Sequence, residues 1–160
     1  MSYREGYYFK KTGYSQKSVL GVDLAQYSLE ELKNLWRKTL NEGLHGICFS
    51  KYEDGQRPGD DISMEQVERR VKILKPYVKS IRSFSCIEGN QYVPKIAKKN
   101  GLTTLVGAWL SDDLEKNEEE LEALITLAKK GYVDVAAVGN EVLYRNDLTL
   151  EQLLTYIRRV

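Results

Sequence analysis

The sequence predicts an α/β fold in which short parallel strands alternate with helices, because four apolar runs are each followed by a segment whose apolar residues recur at helical spacing. The runs LVGAWL (105–110) and AAVG (136–139) are nearly continuous in apolar character, which predicts strands covered on both faces. An alternation of this kind allows two architectures, a doubly wound open sheet and a closed barrel with right-handed crossovers. A long polar loop over residues 50–60 stands where a dinucleotide-binding sheet would carry its glycine-rich phosphate turn, and this favours the barrel. A full (β/α) barrel of TIM type takes about 250 residues. The 160 residues here hold about its first four βα units, a half-barrel.

Residues 1–22 carry Tyr3, Tyr7, Tyr8, Phe9 and Tyr14 among Arg4, Lys10, Lys11 and Lys17, and read as a packed arm or a tail preceding the half-barrel of 23–160. Ser28 followed by Glu31 is a capping box, and Leu29, Leu32, Leu35, Trp36 and Leu40 continue it as a helix that ends near Gly43. The first strand is expected at 46–49 (GICF). A second capping box, Ser63 with Gln66, opens a helix through Leu74 that Pro76 ends. Strand 80–86 follows, then a loop with Gly89 and Asn90, a short helix over 93–99 and a turn at Asn100–Gly101. The third strand spans 103–110. An acidic loop, 111–116, leads to a helix over 118–130 that Gly131 ends, and the acidic run from Asp112 to Glu122 reads as a solvated helix start. The fourth strand spans 133–139, and a capping box at Thr149 and Gln152 starts the last helix at Leu150.

Composition removes several function classes. Twenty-four Lys and Arg balance 23 Asp and Glu, so the overall field favours neither nucleic acid nor anionic lipid. No window approaches the roughly 18–20 apolar residues of a membrane span, and the first residues lack the apolar stretch of a secretory signal, so the chain as written is expected to stay soluble and cytoplasmic. One histidine, His45, and no close pair of cysteines leave no zinc set, and no cofactor is expected. Cys48 and Cys86 fall inside apolar runs and are expected as buried free thiols.

In a barrel the reacting groups gather where strands end. Those positions supply Phe49, Ser50 and Tyr52; Arg82, Phe84 and Glu88; Trp109; and Asn140 and Glu141. An acid, an amide, a guanidinium and several aromatics form the mixture sugars need, because rings stack on the pyranose C–H face while polar donors fix its hydroxyls. Each has a plainer alternative. Trp109 could be core and Arg82 a structural ion-pair partner.

A strand ending in Asn-Glu, in AAVGNEVL (136–143), is the motif of (β/α)8 glycoside hydrolases. With LHGICFSKYEDGQRPGDDIS, SIRSFSCIEGN and LVGAWL upstream in the same order, residues 35–160 resemble the bacterial branch of glycoside hydrolase family 17, the β-1,3-glucanases and their transglycosylating relatives. The resemblance implies that Glu141 is the general acid/base and Asn140 the amide on the sugar 2-hydroxyl. It matches Arg82 to an arginine near the catalytic centre, and it makes Trp109, Phe49 and Tyr144 candidate substrate-binding residues, with β-glucan as partner. Phe49 stands where plant relatives carry tyrosine. Relatives are often secreted or in the cell envelope. The family's nucleophile is a glutamate after the seventh strand, and no carboxylate here matches it; Glu88 and Asp112 sit at strand ends without a motif. The expected function is a fragment of a retaining β-1,3-glucan hydrolase or transglycosylase, inactive alone. The alternative is a non-catalytic glucan-binding half-barrel that associates with a second copy through exposed sheet edges.

Overall fold

The computed structural model describes residues 24–160, and the arm expected over 1–22 lies outside them. The chain divides into two compact units, one up to Asn41 and one from Glu42 onward. In the first, a 3-10 turn (Leu24–Gln26) precedes helix α1 (Leu29–Glu42). The Ser28 capping box forms as its sequence requires: the Glu31 backbone N–H donates to Ser28 Oγ at 3.3 Å, and the Ser28 N–H donates back to Glu31 Oε2 at 2.7 Å.

The second unit holds a parallel sheet of four strands in the order β1-β2-β3-β4: β1 (Ile47–Cys48), β2 (Ser80–Ser83), β3 (Thr103–Ala108) and β4 (Val135–Val138). Helix α2 (Met64–Leu74) connects β1 to β2, α3 (Tyr92–Lys99) connects β2 to β3, and α4 (Leu114–Lys129) connects β3 to β4. A one-turn helix α5 (Val142–Arg145) and α6 (Leu150–Arg159) follow β4. Successive parallel strands lie side by side, each after a helical crossover, as in the first half of a (β/α) barrel.

The caps explain the helix starts. Ser63 accepts from the Gln66 N–H, and Thr149 and Gln152 form a complete capping box. Helix α2 ends at Leu74 ahead of Pro76, as expected, and the chain turns through a 3-10 segment, Lys75–Tyr77, where the missing proline N–H costs nothing. Helix α4 starts at Leu114, four residues earlier than expected, because the Asp113 carboxylate accepts from the Lys116 N–H and caps it.

Burial alternates along β2 and the first half of β3. Ile81, Ser83, Thr104 and Val106 are buried, whereas the row Cys48–Arg82–Leu105–Val135, aligned by register, is only partly covered. The expectation of strands covered on both faces therefore holds mainly for one face in β2 and β3 and for neither face of β4, where Val135 and Ala136 are exposed and Ala137 and Val138 half-buried. A barrel interior is filled by side chains from opposing strands, and four adjacent strands have none opposite. For the same reason Cys48, expected to be buried, is exposed, while Cys86 is buried with its Sγ 3.3 Å from the Gly107 carbonyl.

Two apolar clusters lie under the sheet. One packs Phe49, Val67, Val71, Ile81, Val93 and Ile96 between β1–β2 and helices α2 and α3; the other packs Val106, Leu110, Leu121, Leu124, Val142 and Tyr156 beneath β3–β4 and helices α4 to α6. Asp134 joins elements across this layer, accepting from the Thr104 N–H at 2.8 Å and from Lys98 Nζ at 2.7 Å. These bonds, the Lys98 one foremost, hold its carboxyl below the usual carboxylate range.

Candidate active site

The strand ends converge on one face, and there the chain is least regular. After β4 the Gly139 N–H still bonds the Ala108 carbonyl at 3.0 Å. Gly139 takes a φ of +81°, and a Cβ there would lie 2.6 Å from Val142 Cγ2. Asn140 follows, and then Glu141 at φ 54° and ψ 19°, a left-handed conformation capping α5. For a residue with a side chain this costs about 1–2 kcal/mol, so the surrounding bonds must hold it. Glu141 is exposed, and its carboxylate has no hydrogen-bond partner among the described residues.

Asn140 is held at two points. Arg82 Nη2, from β2, donates to Asn140 Oδ1 at 3.0 Å, a bond spanning 58 positions of sequence. Arg145 Nη1 donates to the Asn140 carbonyl. Arg82 thus pairs with the amide next to Glu141, not with an acid. Its guanidinium lies 4.4 Å from the Phe84 ring centroid, and its Nε is buried without a partner among the described residues.

Next to Phe84, on which Arg82 stacks, opens a cavity of about 510 Å³ lined by the loops after β1, β2 and β3; Arg82, Asn140 and Glu141 do not line it. Trp109 lines it and is 39% exposed, with the Arg145 guanidinium over its ring. Phe49 also lines it, but at 8% exposure it is packed into the core and contributes apolar floor. Tyr144 is 86% exposed and lines no part of the cavity. Arg82 and Asn140 are brought together by their hydrogen bond, and Arg145 links Asn140 to Trp109; Glu141 adjoins in the chain, while Tyr144 stands apart.

Three residues here are absent from the sequence-based candidates. Glu120 is 3% exposed; Ser85 Oγ donates to its Oε1, the Cys86 N–H donates to Oε2 at 2.7 Å, and the Trp109 backbone N–H also reaches it. Burial raises its pKa above the ordinary carboxylate value despite these bonds, a desolvation effect. The acidic run is thus not uniformly solvated: Asn117, Glu120, Leu121 and Leu124 share the buried face of α4 at helical spacing, a periodicity visible in the sequence. Lys51 is buried with its Nζ donating to the Glu88 carbonyl, and burial lowers its pKa. Arg145 bonds the Asn140 carbonyl, donates to the Leu110 carbonyl at 2.8 Å and to Asp147 at 2.7 Å, and lies 4.5 Å from the Trp109 ring centroid. No local pattern marks it. Among the described residues no three His, Cys, Asp or Glu side chains are placed to hold a metal ion.

Residues 46–160 match the family described as BtgE/BtgC glycoside hydrolase domain. A glucan 1,3-beta-glucosidase of Saccharomyces cerevisiae is 32% identical over 61% of this chain and 33% of its own length. A glucan 1,3-beta-glucosidase of Schizosaccharomyces pombe is 26% identical over 96% of this chain and 48% of its own length. The chain thus spans from a third to about half the length of these relatives. The solved structure of a glycoside hydrolase family 17 beta-1,3-glucanosyltransferase from Rhizomucor miehei superposes with a TM-score of 0.60 at 24% identity, over 74% of this chain and 44% of that one. Its active-site mutant in complex with laminaritriose superposes equally well. That likeness bears on the fold, and agrees with the parallel half-barrel expected from the sequence.

Proposed function

The chain belongs to the BtgE/BtgC glycoside hydrolase domain family, and from that premise we propose that residues 23–160 are the first four βα units of a retaining (β/α)8 glycosidase or transglycosylase acting on β-1,3-glucan, with Glu141 as general acid/base. The observation that carries this is the tie between Arg82 at the end of β2 and Asn140 at the end of β4, which seats an amide beside an exposed carboxylate that has no partner among the described residues. Names of the relatives supply the substrate class.

Because Asn140 Oδ1 is occupied by Arg82, its Nδ2 is the group left to donate to a sugar hydroxyl. Trp109 offers a ring for the pyranose face. The buried Arg82 Nε needs an acceptor, which an arriving carboxylate or hydroxyl would provide. In a retaining reaction Glu141 protonates the departing glycosidic oxygen while a second carboxylate attacks the anomeric carbon. Glu141 then takes the proton of incoming water or of an acceptor sugar. The two carboxyls must stand about 5–5.5 Å apart, and the second is assigned to further βα units.

The 160-residue chain should therefore bind laminaritriose, as seen by tryptophan fluorescence titration, and release no reducing sugar from laminarin. Robust turnover abolished by Glu141→Gln would put both carboxylates within this chain; absence of any saccharide binding would end the glucan reading. A second reading, self-association without catalysis, is favoured by one feature: β4 is an edge strand on which Val135 is 51% exposed, and Leu154 and Ile157 of α6 are exposed as well. Light scattering on a size-exclusion column distinguishes the two, a doubled mass supporting pairing and an 18.4 kDa particle opposing it. No described helix is long and apolar enough to cross a membrane.

A further inference from the structure

We propose that Arg145 is a positioning residue that locks the acid-bearing turn after β4 to the aromatic platform at the end of β3. The inference rests on the assignment of Glu141 and Trp109 above, but its geometry is independent of it. One guanidinium serves four partners: the carbonyl of Asn140, the carbonyl of Leu110, the Asp147 carboxylate and the face of Trp109. The carbonyls belong to the residues immediately before Glu141 and immediately after Trp109. A planar fork with fixed donor directions satisfies both at once, which an ammonium on a flexible stem does not. Asp147, drawn to Arg145 at 2.5 Å, orients the fork, and the Asp147 N–H in turn bonds the Val142 carbonyl at 3.1 Å.

The arrangement answers a need already evident. Glu141 sits in a left-handed conformation that L residues adopt at a cost, and α5, with one turn, is too short to hold it. Within this turn the Arg145 N–H bonds the Glu141 carbonyl at 2.9 Å, so backbone and side chain of one residue grip positions 140 and 141 together. Trp109 carries the Arg145 guanidinium 4.5 Å from its ring centroid, and the carbonyl of its neighbour Leu110 accepts from the same group at 2.8 Å. Arg145 touches neither saccharide nor reacting atoms in this scheme. It sets the distance between acid and platform.

The test uses the full chain with Trp36→Phe, so that Trp109 is its one remaining tryptophan. Arg145→Met and Arg145→Lys are compared with Arg159→Met, which breaks a surface pair with Glu118. Both Arg145 variants should raise acrylamide quenching of Trp109 and weaken laminaritriose binding about tenfold, the worth of one charge-assisted bond. Arg159→Met should change neither. Lysine restoring both properties to the parent level would show that charge alone suffices and overturn the role assigned to the fork. So would quenching and affinity in Arg145→Met equal to those of Arg159→Met. Should Arg145→Met fail to fold, Arg145→Lys is read alone against the same outcomes. If the parent binds no laminaritriose, the glucan assignment falls while Trp109 quenching still decides the role of Arg145.

Discussion

Replacing Gly139 with alanine tests whether the turn before Asn140 and Glu141 is sterically determined. The φ of +81° makes any L residue pay about 1–2 kcal/mol. The added Cβ would also lie 2.6 Å from Val142 Cγ2 and 3.3 Å from Leu153 Cδ1, both on elements packed beneath the sheet. Overpacking of this kind costs about 1–3 kcal/mol more, for a sum of about 2–5 kcal/mol. Gly131 supplies the control, because its φ of +76° carries the same backbone cost while nothing lies within 4 Å of its would-be Cβ. In urea, where the slope is about 1–3 kcal/mol per molar, Gly139→Ala should lower the unfolding midpoint by about 1 M more than Gly131→Ala. It should also weaken laminaritriose binding, because any relief of the clash moves Asn140 away from Arg82. Equal midpoints for the two variants would refute the steric account of this turn.

Two further outcomes follow from the core. Burial holds the Glu120 proton to a higher pH in the folded chain than in the unfolded one. Its stabilising contribution is therefore fully present below the ordinary value of 4.5 and is lost as pH rises through the raised folded value. Glu120→Gln should remove that decline, gaining stability relative to the parent with rising pH in denaturation curves; parallel pH profiles would sink the assignment. Leu124, fully buried in the second cluster, should cost about 2–5 kcal/mol when cut to alanine. A loss below about 1 kcal/mol would mean that the α4 face is not packed as described.

The alternation of strands and helices, the capping boxes at Ser28 and Thr149, and the Asn140–Glu141 pair at a strand end were all legible in the sequence. Each is written in residues a few positions apart. At Ser63 only the N-cap half of the expected box forms, because the Gln66 side chain bonds the Lys51 carbonyl and Gln56 instead. The early start of α4 was legible in part: Asp113 is an ordinary N-cap residue, and the buried stripe through Asn117 and Glu120 follows helical spacing, but a dense run of charge reads as solvated until something is seen to cover it. Other features had no local signature. Arg82 meets Asn140 across 58 residues, Glu120 meets Ser85 across 35, and Arg145 meets Leu110 across 35. Which polar side chain is desolvated, and which carbonyl it satisfies, depends on the register of strands that β1 to β4 acquire only on assembly. Short-range spacing therefore determined the elements and the acid's place at a strand end, while the pairing of distant strands decided what holds that acid and what surrounds it.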